Sequence, residues 1–344
     1  RHRAMRKLQT PPFHGARMRA YGRIILDVAE EHAGRWPRAQ PFSIHERMQE
    51  ISLEVILQAV LGLSKPAARA AFKEAVLATI EALKPTFMFI PALRRPLFGL
   101  SAWSRFLRQR ERLSSLFNQV LAERRAASEP AEDILSLLLG ARYEDGTGLS
   151  DDELMIQMMN LIAAGHETTA SALSLAFHFI LRDAGVRERL THELRSVPGA
   201  EPEAIAQLPY LTAVCFETLR INPVAPIIGR TLRKPLSLHG YELPPGISVG
   251  AGILLVHRRP DIYPQPERFL PERFLDRDFT PFEYLPFGGG ARRCLGAAFA
   301  LYEMKLVLAA VLGKYAPRLH RDGPIRAIAR NTTVGPRDPI ELML

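Results

Sequence analysis

The chain has 344 residues, 47% of them hydrophobic, so it can bury a large core in one or two domains. Its 45 basic and 36 acidic residues give a net charge of +9. The basic residues are spread along the chain and do not form the blocks with interleaved aromatic residues that are typical of nucleic-acid binding. The charge therefore indicates either a solvated basic surface or a surface for an acidic redox partner. Two cysteines exclude a disulfide framework and favour a reducing, cytoplasmic compartment, and no membrane-length apolar run or signal peptide is present.

Helical periodicity dominates the first two thirds of the chain. The chain opens on Arg1, without an initiator Met, inside a basic helical pattern that places His2 and Arg6 one turn apart. Hydrophobic residues then recur at intervals of three and four, which is the spacing of one buried helix face. We predict helices over residues 16–33, 43–62, 67–83, 102–127, 132–140, 150–182, 184–196 and 209–221.

The connection over residues 84–100 is apolar and broken by prolines, which is unusual for a solvated loop. Large apolar side chains on such a segment either pack inward or line a ligand entrance, and the sequence leaves both alternatives open. The side chains concerned are Phe87, Met88 and Phe89, together with Leu161 and Ile162 of the following long helix.

The long helix predicted over residues 150–182 carries the run Ala164-Gly165-His166-Glu167-Thr168. A glycine inside a helix costs about 1 kcal/mol relative to alanine, so it indicates either the close approach of a flat ligand or a packing notch. The Thr168 hydroxyl can bond back to a helix carbonyl or reach a ligand. Glu167 beside it is a candidate for relaying protons.

The helix predicted over residues 209–221 contains Glu217 and Arg220, three apart, where they can form an ion pair. Downstream, the sequence Pro-Glu-Arg-Phe occurs twice, once with Arg268 and once with Arg273. We choose Arg273 because it lies closer in the chain to the cysteine loop described below. Either arginine is suited to a bidentate bond with a carboxylate.

Beyond residue 224 the pattern changes to short β-like runs over residues 227–232 and 247–249, punctuated by proline and glycine. Arg230 lies on the first of these runs. Residues 257–286 lack periodicity and predict an ordered meander. Residues 316–344 predict short strands and turns.

The run Phe287-Gly288-Gly289-Gly290-Ala291-Arg292-Arg293-Cys294-Leu295-Gly296 precedes an apolar helical pattern. Its glycines let the backbone approach a flat object closely. Two arginines and a helix N-terminus beside Cys294 favour the thiolate, which is a soft ligand for haem iron. The alternative is a buried structural cysteine beside a glycine-rich turn.

Four motifs in this order resemble those of the cytochrome P-450 family. The cysteine loop resembles its haem-binding loop, and residues 164–168 resemble its oxygen-activation motif. Residues 217–220 and 271–274 resemble its Glu-x-x-Arg and Pro-x-Arg-Phe motifs. The resemblance extends from residue 1 to residue 344, and the family's further N-terminal segment implies that this chain is incomplete at its N-terminus.

The resemblance also implies a role for each motif residue. Cys294 is expected to ligate the iron of haem b (iron protoporphyrin IX), with Phe287 shielding the sulfur. The glycines expected to contact haem are Gly288 and Gly296. The side chains expected to hold its propionates are His2, Arg6, Arg230 and Arg292. The expected catalytic set is Ala164 and Gly165, which make room for dioxygen, and Glu167 and Thr168, which deliver protons. The expected structural network is Glu217, Arg220 and Arg273.

The implied fold is mainly α with a smaller β portion (α+β), a cytochrome P-450 fold lacking its N-terminal segment, in a single haem-binding domain over residues 1–344. The implied function is a haem-thiolate monooxygenase that inserts one oxygen atom from O2 into a small apolar organic substrate. No flavin- or nicotinamide-binding glycine motif is present, so we expect electrons from an external donor protein, a ferredoxin or a reductase. We expect a monomer with no nucleic-acid partner and no membrane span in this segment.

Two alternatives stay open. A haem-thiolate peroxygenase or isomerase of the same fold would share the cysteine loop but would not need the pair Glu167 and Thr168. A haem-binding but catalytically incompetent fragment would agree with a chain that lacks an N-terminal segment. The intact motifs oppose that second alternative.

Overall fold

The computed structural model of the chain describes residues 2–13, 15, 17–84, 86–95, 99–127, 132–330 and 333–344. Its α-helices are α1 (His2–Gln9), α2 (Arg17–Gly34), α3 (Ile44–Leu61), α4 (Pro66–Ala82), α5 (Thr86–Phe89), α6 (Ala102–Ala126), α7 (Ile134–Gly140), α8 (Asp151–Arg182), α9 (Ala184–Arg195), α10 (Pro202–Ala206), α11 (Pro209–Ile221), α12 (Ile253–His257), α13 (Arg273–Asp276) and α14 (Ala297–Lys314). Each of the eight predicted helices is present, with ends within about two residues of the prediction.

Local sequence signals fix where several helices begin. The side chains of Ser101, Asp133 and Asp183 each accept a hydrogen bond from a backbone N–H in the first turn of the helix that follows. Pro66 and Pro209 open α4 and α11, where the missing proline N–H has no helical partner to lose. These caps satisfy groups that would otherwise be unpaired at each helix start.

Short antiparallel strands supply the smaller β portion. They are β1 (Phe42–Ser43), β2 (Ile227–Thr231), β3 (Leu236–Leu238), β4 (Tyr241–Leu243), β5 (Ser248–Gly252), β6 (Arg318–Leu319), β7 (Ala327–Arg330), β8 (Thr333–Pro336) and β9 (Glu341–Met343). In the described residues β1, β9 and β6 form one sheet, and β2–β5, β3–β4 and β7–β8 form two-stranded ribbons. The expected fold, mainly α with a smaller β portion, is confirmed.

The chain divides into two compact units. Unit 1 comprises Arg1–Trp36, Glu46–Ala170 and Ala298–Ala310, and unit 2 comprises Pro37–His45, Ser171–Ala297 and Val311–Leu344. Each unit has its own buried apolar residues. Those of unit 1 include Ile25, Leu57, Phe117 and Met158, and those of unit 2 include Phe177, Leu211, Tyr263 and Leu342. The single domain expected from the sequence stays a prediction.

Where the structure describes the apolar connection before α6, it packs inward only in part, and the side chains of Ile90, Leu93 and Leu100 are exposed. Phe87 is buried, and its ring meets the Trp103 ring edge-on with 5.2 Å between centroids. Ile162 of α8 is also buried, and Leu161 is half-buried. Core packing therefore accounts for Phe87 and Ile162. The side chains of Met88 and Phe89 lie outside the described residues.

Helix length and hydropathy bear on membrane insertion. In the part of the chain that the structure describes, no single helix is both long and apolar enough to cross a bilayer. Helices α3 and α4, which are bent by 112° at the break between them, are together long and apolar enough, judged by length and composition alone.

Candidate functional site

Cys294 lies in an irregular loop of unit 2 that leads into α14. The Cys294 N–H donates to the Phe287 carbonyl, and the Gly288 N–H donates to the Leu285 carbonyl, each at 2.9 Å. Gly288 and Gly290 adopt φ angles of +67° and +65°, a region that residues with a side chain rarely occupy. These two glycines therefore let the chain fold back on itself and fix the position of Cys294.

The loop presents its cysteine to solvent. Cys294 is exposed and forms no disulfide, which argues against a buried structural cysteine. A Cβ added at Gly289, Gly290 or Gly296 would meet no atom of the described residues within 4 Å, so this surface has room for a flat group. Among the described residues, no group of three or more His, Cys, Asp or Glu is placed to hold a metal ion. Iron held by this sulfur would have to bring its other ligands, as haem does, and the residues present fit that group.

Two arginines near the loop carry no carboxylate partner within the described residues. Arg292 immediately precedes the Arg293–Cys294 pair, and Arg230 lies on β2; both are exposed. Ile228 brings β2 against the loop, because its Cδ1 lies 3.7 Å from where a Gly288 Cβ would be. Arg230 follows two residues later, on the same strand face as Ile228. Both guanidinium groups can therefore bind an external carboxylate.

The other two expected propionate partners lie in unit 1. His2 and Arg6 are four residues apart on α1, so they share one helix face. Gln9 at the end of α1 donates to the Gln157 side chain of α8 at 2.6 Å, which fastens α1 within the unit. A shared role for His2 and Arg6 with the arginines of unit 2 stays a prediction.

Gly165 lies in the middle of α8, where α3 packs against it. A Cβ built on Gly165 would overlap Cδ1 of Ile56, so a larger residue here would require the end of that flexible side chain to move. This contact agrees with the packing alternative, and the close approach of a flat ligand at Gly165 stays a prediction. Ala164 beside it is exposed, and room for dioxygen at either residue stays a prediction.

The acid and the alcohol of the α8 run have defined partners. The Thr168 Oγ1 donates to the Ala164 carbonyl at 2.6 Å, one turn earlier in the helix. The Glu167 Oε2 accepts a hydrogen bond from Nε2 of Gln49 on α3, also at 2.6 Å. Both side chains are half-buried. The structure thus presents a carboxylate in a fixed position next to a hydroxyl whose bond is local and easily exchanged.

Three polar residues of unit 1 around α8 were not predicted from the sequence, namely Gln49, Ser52 and Glu303. Ser52 and Glu303 are buried, and burial raises the pKa of Glu303 to about 8. A signal for each was present. Gln49 and Ser52 share the α3 face of Ile56, at spacings of three and four, and Glu303 is the one acidic residue in the largely apolar sequence of α14.

The structure brings Glu217, Arg220 and Arg273 together in unit 2. Arg220 binds both carboxylate oxygens of Glu217, through Nε at 2.6 Å and Nη2 at 2.9 Å. The Arg273 Nε donates to the same carboxylate at 3.1 Å, as does the Leu270 N–H at 2.8 Å. Arg268, the competing candidate, is exposed and donates to the Gln265 side chain instead.

His257 joins this network to the cysteine loop. The Arg220 Nη1 donates to the His257 carbonyl at 2.8 Å, and the Leu285 N–H donates to the His257 Nε2 at 3.0 Å. Burial lowers the pKa of His257 to about 4, so the ring is neutral and its Nδ1–H is available to the Arg220 carbonyl at 3.1 Å. Because the Leu285 carbonyl accepts from Gly288, the buried network positions the start of the loop.

Comparison with known proteins gives relatives over almost the whole chain. The sequence model of the family described as Cytochrome P450 matches residues 1–343. Cytochrome P450 135B1 of Mycobacterium tuberculosis (strain ATCC 25618 / H37Rv) is 38% identical over 314 residues, covering 90% of this chain and 65% of that protein. Cytochrome P450 137 of the same strain is 34% identical over 343 residues, covering 98% of this chain and 69% of that protein. The chain thus spans just under two thirds of the length of the first relative.

Solved structures show the same similarity. The retinoic acid-bound cyanobacterial CYP120A1 matches with a TM-score of 0.85 at 27% identity, covering 99% of this chain and 78% of that one. The heme domain of cytochrome P450DA matches with a TM-score of 0.87 at 26% identity, covering 98% of this chain and 76% of that one. Fold, motifs and relatives agree, and the family expected from the sequence is confirmed: this chain belongs to the cytochrome P450 family, which implies a haem cofactor.

Proposed function

We propose that the protein is a haem-thiolate monooxygenase. The observation that carries the proposal is the exposed Cys294, held by the Phe287 carbonyl in a glycine loop with room for a flat group. Membership of the cytochrome P450 family supports haem as that group. Haem b, when bound, supplies the activation of dioxygen, while the chain holds it, excludes water and handles protons.

The binding residues follow from charge and donor chemistry. Cys294 Sγ holds the iron, and the half-buried Phe287 shields the sulfur. Arg230 and Arg292 hold the propionates, since both are exposed cations without a carboxylate partner among the described residues. We assign His2 and Arg6 to the same task on the resemblance alone.

The proton-handling residues are Glu167 and Thr168. Thr168 donates to the Ala164 carbonyl and can turn that proton toward a ligand, because the bond it gives up lies within its own helix turn. Glu167 can relay the next proton by first taking one up from solvent, and the hydrogen bond from Gln49 holds its carboxylate in position. Without this pair the site would resemble a peroxygenase or an isomerase.

The substrate we propose is a small apolar organic molecule, and electrons come from a separate ferredoxin or reductase. Retinoic acid, which is bound in the structure of CYP120A1, is largely apolar and supports this class. The net charge of +9 favours an acidic donor protein. We further propose a monomer in the cytoplasm.

The test is turnover of the haem-reconstituted chain with ferredoxin, its reductase and isotope-labelled dioxygen, using retinoic acid, a fatty acid and a steroid. We expect one labelled oxygen atom in the product. Thr168→Ala should consume reductant while forming severalfold less product. Thr79→Ala is the matched control, because the Thr79 Oγ1 makes the same bond to the Ala75 carbonyl on α4.

Three results would contradict the proposal. Product formed from hydrogen peroxide but not from dioxygen and reductant would favour a peroxygenase. Undiminished product from Thr168→Ala would remove that residue from proton handling. Haem binding without any turnover of a substrate that gives the spectral signs of binding would favour the incompetent fragment.

A further inference from the structure

Glu303 on α14 is a buried carboxyl without a charged partner among the described residues. It is 1% exposed, and its Oε1 has no hydrogen-bond partner in the described part of the chain. Burying an unpaired carboxylate is costly, so such a group keeps its proton instead of ionising. Burial raises the pKa of Glu303 to about 8, and a hydrogen bond from Ser52, which favours the ionised form, opposes that rise.

Ser52 links Glu303 to α8. It is fully buried on α3, bonds to Glu303, and places its Oγ 3.5 Å from the Gly165 carbonyl. A serine hydroxyl has only one proton to donate, but two acceptors are within its reach. When Glu303 is protonated, it can donate to the Ser52 Oγ, which leaves the serine proton for Gly165. When Glu303 is ionised, its carboxylate accepts the hydrogen bond from the Ser52 hydroxyl, and the Gly165 carbonyl loses its second donor.

We propose that Glu303 is a positioning residue that acts through Ser52 as a proton-dependent switch on the Gly165 carbonyl of α8. That carbonyl also accepts the Thr169 N–H in the regular helix pattern, so losing Ser52 leaves one bond and frees the peptide to tilt. Gly165 has no Cβ to oppose the tilt. The neighbouring Ala164 carbonyl holds Thr168, so the change reaches the acid–alcohol pair.

The surroundings of Glu303 isolate this switch from other charges. On α8, His166 is buried and Glu167 is bonded to Gln49. Burial and the Ser52 hydroxyl act on the pKa of Glu303, and no ionic side chain of the described residues contributes. All of these residues belong to unit 1. The proposed switch requires neither bound haem nor monooxygenase activity.

The first test is infrared titration of the full chain across about pH 5 to 10, following the C=O band of a buried carboxylic acid. We expect a band at neutral pH that disappears with a midpoint of about 8 and is missing in Glu303→Gln. Ser52→Ala should raise the midpoint, because it removes the donor that stabilises the carboxylate. Ser171→Ala is the matched control, since it removes a fully buried α8 hydroxyl that has no partner among the described residues, and should leave the midpoint unchanged.

The second test is amide hydrogen exchange over residues 164–170, compared between wild type and Glu303→Gln at each pH so that the intrinsic pH dependence cancels. We expect wild type to lose protection above the Glu303 midpoint and Glu303→Gln to keep it. A carboxyl that titrates near the ordinary 4.5, or a midpoint unmoved in Ser52→Ala, would overturn the buried switch. Equal exchange in both proteins would overturn the link to Gly165. The wild-type titration decides the first point even where a variant fails to fold.

Discussion

Four arginines of unit 2 occupy two opposite environments. The Arg220 and Arg273 side chains are 0% and 9% exposed and share the Glu217 carboxylate. Arg230 and Arg292 are exposed, and neither has a carboxylate partner in the described residues. The same side chain therefore serves as a structural element in one place and remains open to a ligand in the other.

The difference shows what a buried charge requires. A guanidinium taken out of water needs a complete set of partners, and Arg220 has two carboxylate oxygens and the His257 carbonyl. Through the His257 ring and Leu285, that set supports the cysteine loop. An exposed arginine without a carboxylate partner contributes little to folding and keeps its capacity to bind one. Stability and haem affinity should therefore respond to different arginines.

The largest expected effect is on stability, from Glu217→Gln. The variant removes the charge that two arginines share in a dry environment, which costs about 3–5 kcal/mol for a broken buried pair. Denaturant unfolding of the apoprotein measures it. Glu74→Gln is the matched control, because Glu74 pairs with Arg112 on the surface and its loss should not move the midpoint. Equal effects of the two variants would refute the contrast.

Arg273→Ala should have the next largest effect. The variant loses the hydrogen bonds that Arg273 donates to Glu217 and to backbone carbonyls of the meander. Hydrogen bonds that involve a charged group contribute about 2 kcal/mol to the free energy of unfolding, so we expect a loss of that size. Arg268→Ala, in the parallel Pro-Glu-Arg-Phe sequence, should cost much less, since Arg268 is exposed and bonds Gln265. The same unfolding measurement applied to both decides which motif belongs to the network. A larger loss from Arg268→Ala would reverse the assignment.

The pH dependence of unfolding tests the link through His257. Its pKa is lowered from 6.5 to about 4 in the folded chain, so the unfolded state binds the proton first as pH falls. The contribution of the neutral His257 ring to the free energy of unfolding is therefore complete above about pH 6.5. As the pH falls toward 4 that free energy decreases, by up to about 1.4 kcal/mol per pH unit. His257→Gln should flatten this slope in part, because the pKa of His178 is lowered to about 4 as well. An unchanged slope would mean that the ring is not buried as a neutral group.

The smallest expected effect concerns haem affinity. Arg230→Ala should leave the unfolding midpoint of the apoprotein unchanged and weaken haem binding by about 1 kcal/mol, roughly fivefold. A spectroscopic titration with haem measures it, and Arg292→Ala should behave similarly. Arg233→Ala is the matched control, because Arg233 is an exposed arginine in the connection between β2 and β3. Lost stability without lost affinity would place Arg230 with the structural arginines.

Much of this fold could be predicted from the sequence because its helices are long. A helix such as α8 shows many turns of the same period, so both its existence and its ends are well determined. The short helices α10 and α12 and the β3–β4 ribbon were not predicted, since a single turn or a three-residue strand carries too little periodic signal.

The site was predictable where its residues are close in the chain. The cysteine loop is one continuous run, whereas Gln49 and Glu167 are 118 residues apart and no local pattern joins them. Gly165 illustrates the same limit: the sequence shows a costly glycine but not that Ile56 packs against it. Partners supplied by tertiary packing are visible only once the fold is known.

The measurement that tests the central claim most directly is the absorption spectrum of the haem-reconstituted, reduced chain with carbon monoxide. We predict a strongly red-shifted Soret band, which reports thiolate ligation, in wild type and in Cys215→Ala, and its loss in Cys294→Ser. The two variants are matched because the chain has only these two cysteines. A Soret band at the position typical of histidine or thiol ligation in wild type, or a red-shifted band that survives in Cys294→Ser, would contradict the assignment of Cys294 as the iron ligand.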